Sequence, residues 1–148
     1  MKRYKNLWDK ICTLDNFKQA YKNAIKGKRK YEEVKFIEKY GPEKYLSELL
    51  EEVKENRYKV SKYEVFTRIT GGKEREIWKL PMRDRIVQHA VMIYIEPIFR
   101  ETFILDTFSS IKGRGIHGAL KRIKRDVRKH GYTYYLKLDI KKCYPSLD

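Results

Sequence analysis

One carboxylate, Asp139, lies near the end of the alternating run Tyr134-Tyr135-Leu136-Lys137-Leu138-Asp139-Ile140. A carboxylate at the end of a buried strand is costly unless something pairs with it or uses it. Taken alone, Asp139 reads first as a turn or cap residue and second as a ligand for a hard divalent cation. Upstream, Arg68 and Arg75 stand seven residues apart across Gly71-Gly72, with Lys73 between them. Taken alone, this trio is a solvated hairpin face. A third group has a more direct chemical reading. Gly113-Arg114-Gly115 precedes a run holding Lys121, Arg122, Lys124, Arg125, Arg128 and Lys129. Glycines let the backbone approach a phosphate, and a helix start offers free N–H groups and a positive dipole end. With Lys112 and Arg114, this stretch is a candidate phosphodiester-binding surface. His117 is expected to pack or cap. Trp8 and Trp78 are of a type that stacks on bases, but core packing is the expectation for both.

These residues need elements to hold them. Asp15 is expected to cap a helix over 15–26, in which Phe17, Ala20, Tyr21, Ala24 and Ile25 recur with helical period. A second helix is expected over 31–40 through Val34 and Ile37, stopped by Gly41. A third over 42–54 starts on Pro42, which suits a first turn, and carries Tyr45, Leu46, Leu49, Leu50 and Val53. Two alternating runs joined by Gly71-Gly72 predict a β-hairpin over 63–80. A largely buried helix is expected over 84–96, with Pro97 ending its regular part. A basic helix is expected over 115–130, capped by Gly131, and a strand over 132–140.

Charge bounds the partners. The chain has 148 residues, 35 Lys+Arg against 20 Asp+Glu, and a net charge of +15. Residues 1–30 carry +8 (10 bases, 2 acids), residues 31–109 carry −1 (14 and 15), and residues 110–148 carry +8 (11 and 3). Both basic blocks keep apolar periodicity, so they read as folded elements with a charged face and point to a nucleic acid. The 37% charged fraction and the lack of a ~20-residue apolar run argue against a membrane protein. The first residues hold no apolar stretch of the secretory kind. Cys12 and Cys143 make neither a disulfide framework nor a CxxC site. The expectation is a reduced, cytoplasmic protein.

The run Leu136-Lys137-Leu138-Asp139-Ile140-Lys141-Lys142-Cys143-Tyr144-Pro145-Ser146-Leu147-Asp148 resembles motif A of bacterial reverse transcriptases of the group II intron, retron and diversity-generating kind. Other segments resemble the same family in the same order. They are Asn16-Phe17 with Gly27-Lys28, then Gly72-Lys73-Glu74-Arg75-Glu76-Ile77, then Arg83-Asp84-Arg85-Ile86-Val87-Gln88. Glu96-Pro97-Ile98-Phe99 and Ser109-Ser110-Ile111-Lys112-Gly113-Arg114-Gly115 follow. The resemblance covers the chain from about residue 14 onward. Cys143 stands where the family usually has Phe.

The resemblance implies an α+β chain: mostly helical fingers with a β-hairpin over 1–131, then the first strand of a polymerase palm over 132–148. It implies RNA-directed DNA polymerisation with RNA template, DNA or RNA primer, incoming dNTP and two Mg²⁺ ions. Asp139 would be the catalytic metal ligand, with the carbonyl of Ile140 beside it. Arg75, Arg68 and Lys73 would clamp the triphosphate, and Tyr144 would pack under the nucleotide sugar. Lys112, Arg114, Lys121, Arg122, Lys124, Arg125 and Arg128 would hold nucleic acid. The family's aromatic-x-Asp-Asp motif does not occur in these residues, so the 148-residue chain alone is expected to be inactive. An exposed edge on the 132–140 strand is expected to favour self-association. The alternative is a non-catalytic, maturase-like RNA-binding module on the same scaffold.

Overall fold

A computed structural model of the chain describes residues 3–131 and 134–141. It divides into two compact units, Met1–Glu101 and Thr102–Asp148. Among the described residues are six helices and one two-stranded antiparallel sheet, the mixed and mostly helical architecture expected from the sequence.

In the first unit, α1 (Leu7–Ile11) is one turn that the sequence pattern did not announce. α2 (Leu14–Ala24) buries Phe17, Ala20, Tyr21 and Ala24, the periodic face read from the sequence. Its cap differs from expectation. Thr13, in extended conformation, accepts the Asn16 N–H at 3.3 Å, and Asp15 falls inside the first turn, where its charge complements the helix dipole. α3 (Glu32–Tyr40) and α4 (Pro42–Lys54) meet the core through Val34, Ile37, Leu46, Leu49, Leu50 and Val53. Gly41 between them has φ 102°, a value that few side chains tolerate. α5 (Met82–Thr102) contributes Met82, Ile86 and Ala90.

α5 corrects one boundary. Pro97 lies inside it, so the helix does not end near residue 96. A proline removes one N–H and crowds one carbonyl, here that of Ile93. The turn around it is bridged by the Arg100–Glu96 pair at 2.7 Å.

Two buried polar side chains connect the elements. Asn16 donates from its amide to the carbonyls of Ile11 (2.9 Å) and Ala90 (3.0 Å), tying α1, α2 and α5 together. Asp84, 1% exposed in the first turn of α5, accepts from the Tyr58 hydroxyl and from the Ser61 N–H at 3.3 Å. Burial, and then this hydrogen bond to a carboxylate, hold the Tyr58 phenol well above its ordinary pKa. Beside it, Arg83 reaches Glu52 at 2.6 Å and lies 5.2 Å over the Tyr58 ring.

The hairpin pairs β1 (Glu64–Thr70) with β2 (Lys73–Lys79) and is held at its base. Lys79 meets Glu64 at 2.7 Å and Glu33 of α3 at 3.5 Å. The second unit holds α6 (Ile116–His130), with Gly115 before it and Gly131 closing it at φ 65°. The strand expected over 132–140 is not formed among the described residues. Residues 134–140 have no ladder partner, and Leu136 and Leu138 are 82% and 81% exposed. An alternating run becomes a strand only when another strand takes its N–H and C=O groups, and among the described residues β1 and β2 pair only with each other. Among the described residues no helix is long and apolar enough to cross a membrane.

Tyr58→Phe should destabilise the protein by about 1–3 kcal/mol, because it removes a donor from a buried carboxylate. A urea unfolding curve measures this, and an unchanged midpoint would remove Asp84 from the account of stability.

Candidate nucleic-acid interface

The hairpin register sorts charge by face. Partners across the sheet are Arg68 with Arg75, Thr70 with Lys73, Thr67 with Glu76 and Ile69 with Glu74. Residues directly opposite share a face, and alternate residues along a strand share it too. Arg68, Lys73 and Arg75 therefore lie together near the turn, while Glu74 and Glu76 lie on the other side. Two guanidinium groups directly opposite each other repel, and no ion pair relieves them among the described residues. This is a poor arrangement for stability and a good one for an anion. Gly71 and Gly72, at φ 61° and 72°, make the tight turn that sets this register.

The sequence reading of the tryptophans needs correction. Trp78 is 60% and Trp8 51% exposed, so neither is a core residue. The Trp78 indole donates to Glu76 at 3.0 Å, and its ring meets Tyr63 edge-on at 5.9 Å. The signal was available: Trp78 alternates in step with Glu74 and Glu76, on the solvated side of its strand.

In the second unit, α6 buries no residue. Leu120, Ile123 and Val127 form one stripe, and the cations cover the rest of the surface. An open groove of about 1040 Å³ runs beside it, lined by Phe108, His117, Lys121, Lys124, Arg125 and Arg128 among others. His117 is exposed and lines this groove. Gly118 lies against Phe108, where an added Cβ would stand 3.6 Å from the ring.

The cations are not equivalent. Arg122 is committed to two carboxylates, Asp106 at 3.1 Å and Asp126 at 2.9 Å. Arg125 reaches Asp126 at 3.3 Å. Partial loss of hydration pushes the Asp126 pKa up, but the hydrogen bond from Arg125 and the charge of Arg122 outweigh it and leave it low. Arg114 donates through Nη1 to the carbonyls of Ile104 (3.2 Å), Leu105 (3.2 Å) and Thr107 (3.3 Å), so that donor closes a loop. Among the described residues, Lys112, Lys121, Lys124, Arg128 and Lys129 have no carboxylate partner. Lys121, Lys124 and Arg128 follow one another at three and four residues, along one side of the helix. They span about 10 Å of helix axis, the length of about three stacked nucleotides.

Asp139 is exposed, and its Oδ1 accepts from the N–H of Ile140 at 3.0 Å. No cluster of three or more His, Cys, Asp or Glu suited to a metal occurs among the described residues. A two-ion centre needs several carboxylates, and among the described residues Asp139 is not part of such a group. Tyr144, Cys143 and the rest of 142–148 lie outside the described residues.

No protein-family model matches the chain. A similar protein is the nuclear intron maturase 2, mitochondrial, of Arabidopsis thaliana. It is 37% identical over 60 residues, which is 40% of this chain and 8% of that protein. The matched stretch thus spans under a tenth of the relative's length.

Arg75→Glu places a carboxylate opposite Arg68 and should stabilise the protein by about 0.2–1 kcal/mol, the worth of a cross-strand ion pair. Equilibrium unfolding checks the sign. A loss of stability would mean that the two arginines do not repel in the native hairpin.

Proposed function

We propose that the chain is an RNA-binding module on a maturase-like scaffold, with α6 and the Lys112–Gly115 turn as its main contact. The carrying observation is the row of cations without carboxylate partners, Lys121, Lys124 and Arg128, on a helix that buries nothing. Such a row has little use in folding and matches a phosphodiester chain. The similarity to a protein named an intron maturase supports RNA as the polyanion. So does the ordered set of segments that resemble group II intron reverse transcriptases.

The mechanism of binding follows from charge. Each phosphate neutralised releases condensed counterions, so log K falls with log salt by about 0.7–0.9 per contact. Replacing Lys121, Lys124 and Arg128 together by Gln should flatten the slope by about 2–3. Arg122→Gln should alter it far less, because Arg122 already faces Asp106 and Asp126. Fluorescence anisotropy with a structured intron RNA, from 50 to 300 mM salt, measures both. An unchanged slope in the triple variant places the RNA elsewhere.

A second reading, RNA-directed DNA polymerisation, is favoured by one observation: Arg68 and Arg75 oppose each other with Lys73 on their face. Three cations near a hairpin turn suit the triphosphate of a dNTP. In this reading Asp139 would hold one Mg²⁺, and the chemistry that ion would supply is stabilisation of the attacking and leaving oxygens. Further carboxylates would have to join it. Primer extension with a longer form of the protein that carries an aromatic-x-Asp-Asp motif separates the readings. Mg²⁺-dependent synthesis that Asp139→Ala abolishes supports the polymerase, and binding without synthesis supports the module.

A further inference from the structure

The first unit carries a surface of the opposite character. Residues 31–56 hold eight Glu and four Lys, a net of −4 in a chain of +15. Three aromatic rings form a series on the helices α3 and α4 of this stretch. Phe36 stacks on Tyr40 at 5.8 Å, and Tyr40 meets Tyr45 edge-on at 6.3 Å. Phe36 is 58% exposed, unusual for a ring with so much apolar area. A groove of about 380 Å³ lies alongside, with Glu32, Glu33, Phe36, Tyr45, Met82 and Arg83 among its walls, and Arg83 is paired with Glu52 at 2.6 Å. Glu32 precedes Phe36 by one helical turn. At the other end Glu48 accepts the Tyr40 hydroxyl at 3.0 Å.

Carboxylates beside aromatic faces attract cations and repel phosphates. The protein's own lysines follow this rule. Lys44 Nζ lies 4.8 Å over the Tyr40 ring, and Lys79 Nζ 5.7 Å over Tyr31. Glu32 is met at 2.6 Å by Lys35, but both side chains are well exposed, and such a pair is worth little. It yields readily to a better-placed cation.

We propose that this face docks a basic segment of a partner protein, which lays an arginine against Phe36 and Glu32 and an apolar side chain into the groove beside Tyr45 and Met82. Arginine fits better than lysine, because its planar guanidinium both stacks on a ring and pairs with a carboxylate. The charge of the face is opposite to that of α6, so the basic segment and a nucleic acid do not compete.

The test uses the full chain and two fluorescein-labelled peptides, one built of Arg-Leu-Gly repeats and one of Glu-Leu-Gly repeats. Anisotropy gives affinity, and ¹H–¹⁵N shifts locate the contact. The arginine peptide should bind with shifts centred on residues 32–45, and the glutamate peptide should not bind. Phe36→Ala and Glu32→Gln should each weaken binding roughly fivefold, with RNA affinity unchanged. Both positions are exposed, so the variants should unfold at the wild-type midpoint. Shifts elsewhere, or full affinity in both variants, overturn the proposal. A dimer that Phe36→Ala abolishes, with no peptide binding, also overturns it, because the occupant is then a second copy.

Discussion

The placement of the hairpin depends on a buried negative charge. Asp84 is 1% exposed, and one of its oxygens, Oδ2, has no partner among the described residues. Burying a carboxylate costs several kcal/mol, and this cost is offset only if its neighbours stay in place. The neighbours are the Tyr58 hydroxyl and the Ser61 N–H, both on the segment that leads into β1. Immediately before Asp84, Arg83 holds Glu52 of α4, and the N–H of Met82 donates to Glu33 of α3. Loss of one contact exposes or unpairs the others. The start of α5, the approach to β1 and two core helices are thus fixed together. Lys79 then fixes the far strand to Glu33 and Glu64. The hairpin is anchored at its base, and its turn, with Arg68, Lys73 and Arg75, projects from that anchor. The stretch Arg83-Asp84-Arg85-Ile86-Val87-Gln88, singled out for its family resemblance, is therefore also a structural joint.

The acids of the first unit are largely consumed inside it. Asp84, Glu33, Glu52 and Glu38 all serve a tyrosine, an amide or a cation of the fold. Among the described residues, cations without a carboxylate partner include Arg68, Lys73 and Arg75 at the hairpin turn and Lys121, Lys124 and Arg128 on α6, as well as Lys22, Arg29 and Lys30 near α2. A net charge says only that a polyanion is attractive. The pairing pattern says which cations are still able to meet it, and it separates Lys124 and Arg128 from Arg122 and Arg114.

Helix positions were legible because burial imposes a 3.6-residue period. Phe17, Ala20, Tyr21 and Ala24, or Leu46, Leu49, Leu50 and Val53, admit few other arrangements. The hairpin was legible from Gly71-Gly72 between two alternating runs. Failures came where a local rule met a tertiary demand. Thr13 rather than Asp15 caps α2, because the cap lies two residues earlier than the charge suggested. Pro97 was given too much weight, since a helix held over many residues tolerates one missing bond. The alternation at 134–140 was real but insufficient, because a strand is a property of two segments. In the candidate site the basic cluster was legible, but its division into paired and unpaired members was not. Asp106 is sixteen residues from Arg122, and no spacing rule links them. Arg114 reads as a phosphate ligand by type, and the structure engages one of its nitrogens, Nη1, with three loop carbonyls.

α6 shows why folding and binding cannot be treated separately here. Fifteen residues with no buried side chain form a helix near the limit of independent stability. Six cations on that helix repel one another and are offset by Asp126 alone within it. Leu120, Ile123 and Val127, at 47%, 58% and 42% exposure, add little burial. A polyanion removes the repulsion only in the helical form, where Lys121, Lys124 and Arg128 lie along one side. In an extended chain Lys121 falls on the opposite side from Lys124 and Arg128, and the three spread over more than twice the length. A polyanion that binds the helix better than the coil would by linkage stabilise the helix as it binds. A more neutral α6 would fold more readily, so its charge pattern costs helix stability, and this is the cost that the proposed RNA contact would offset.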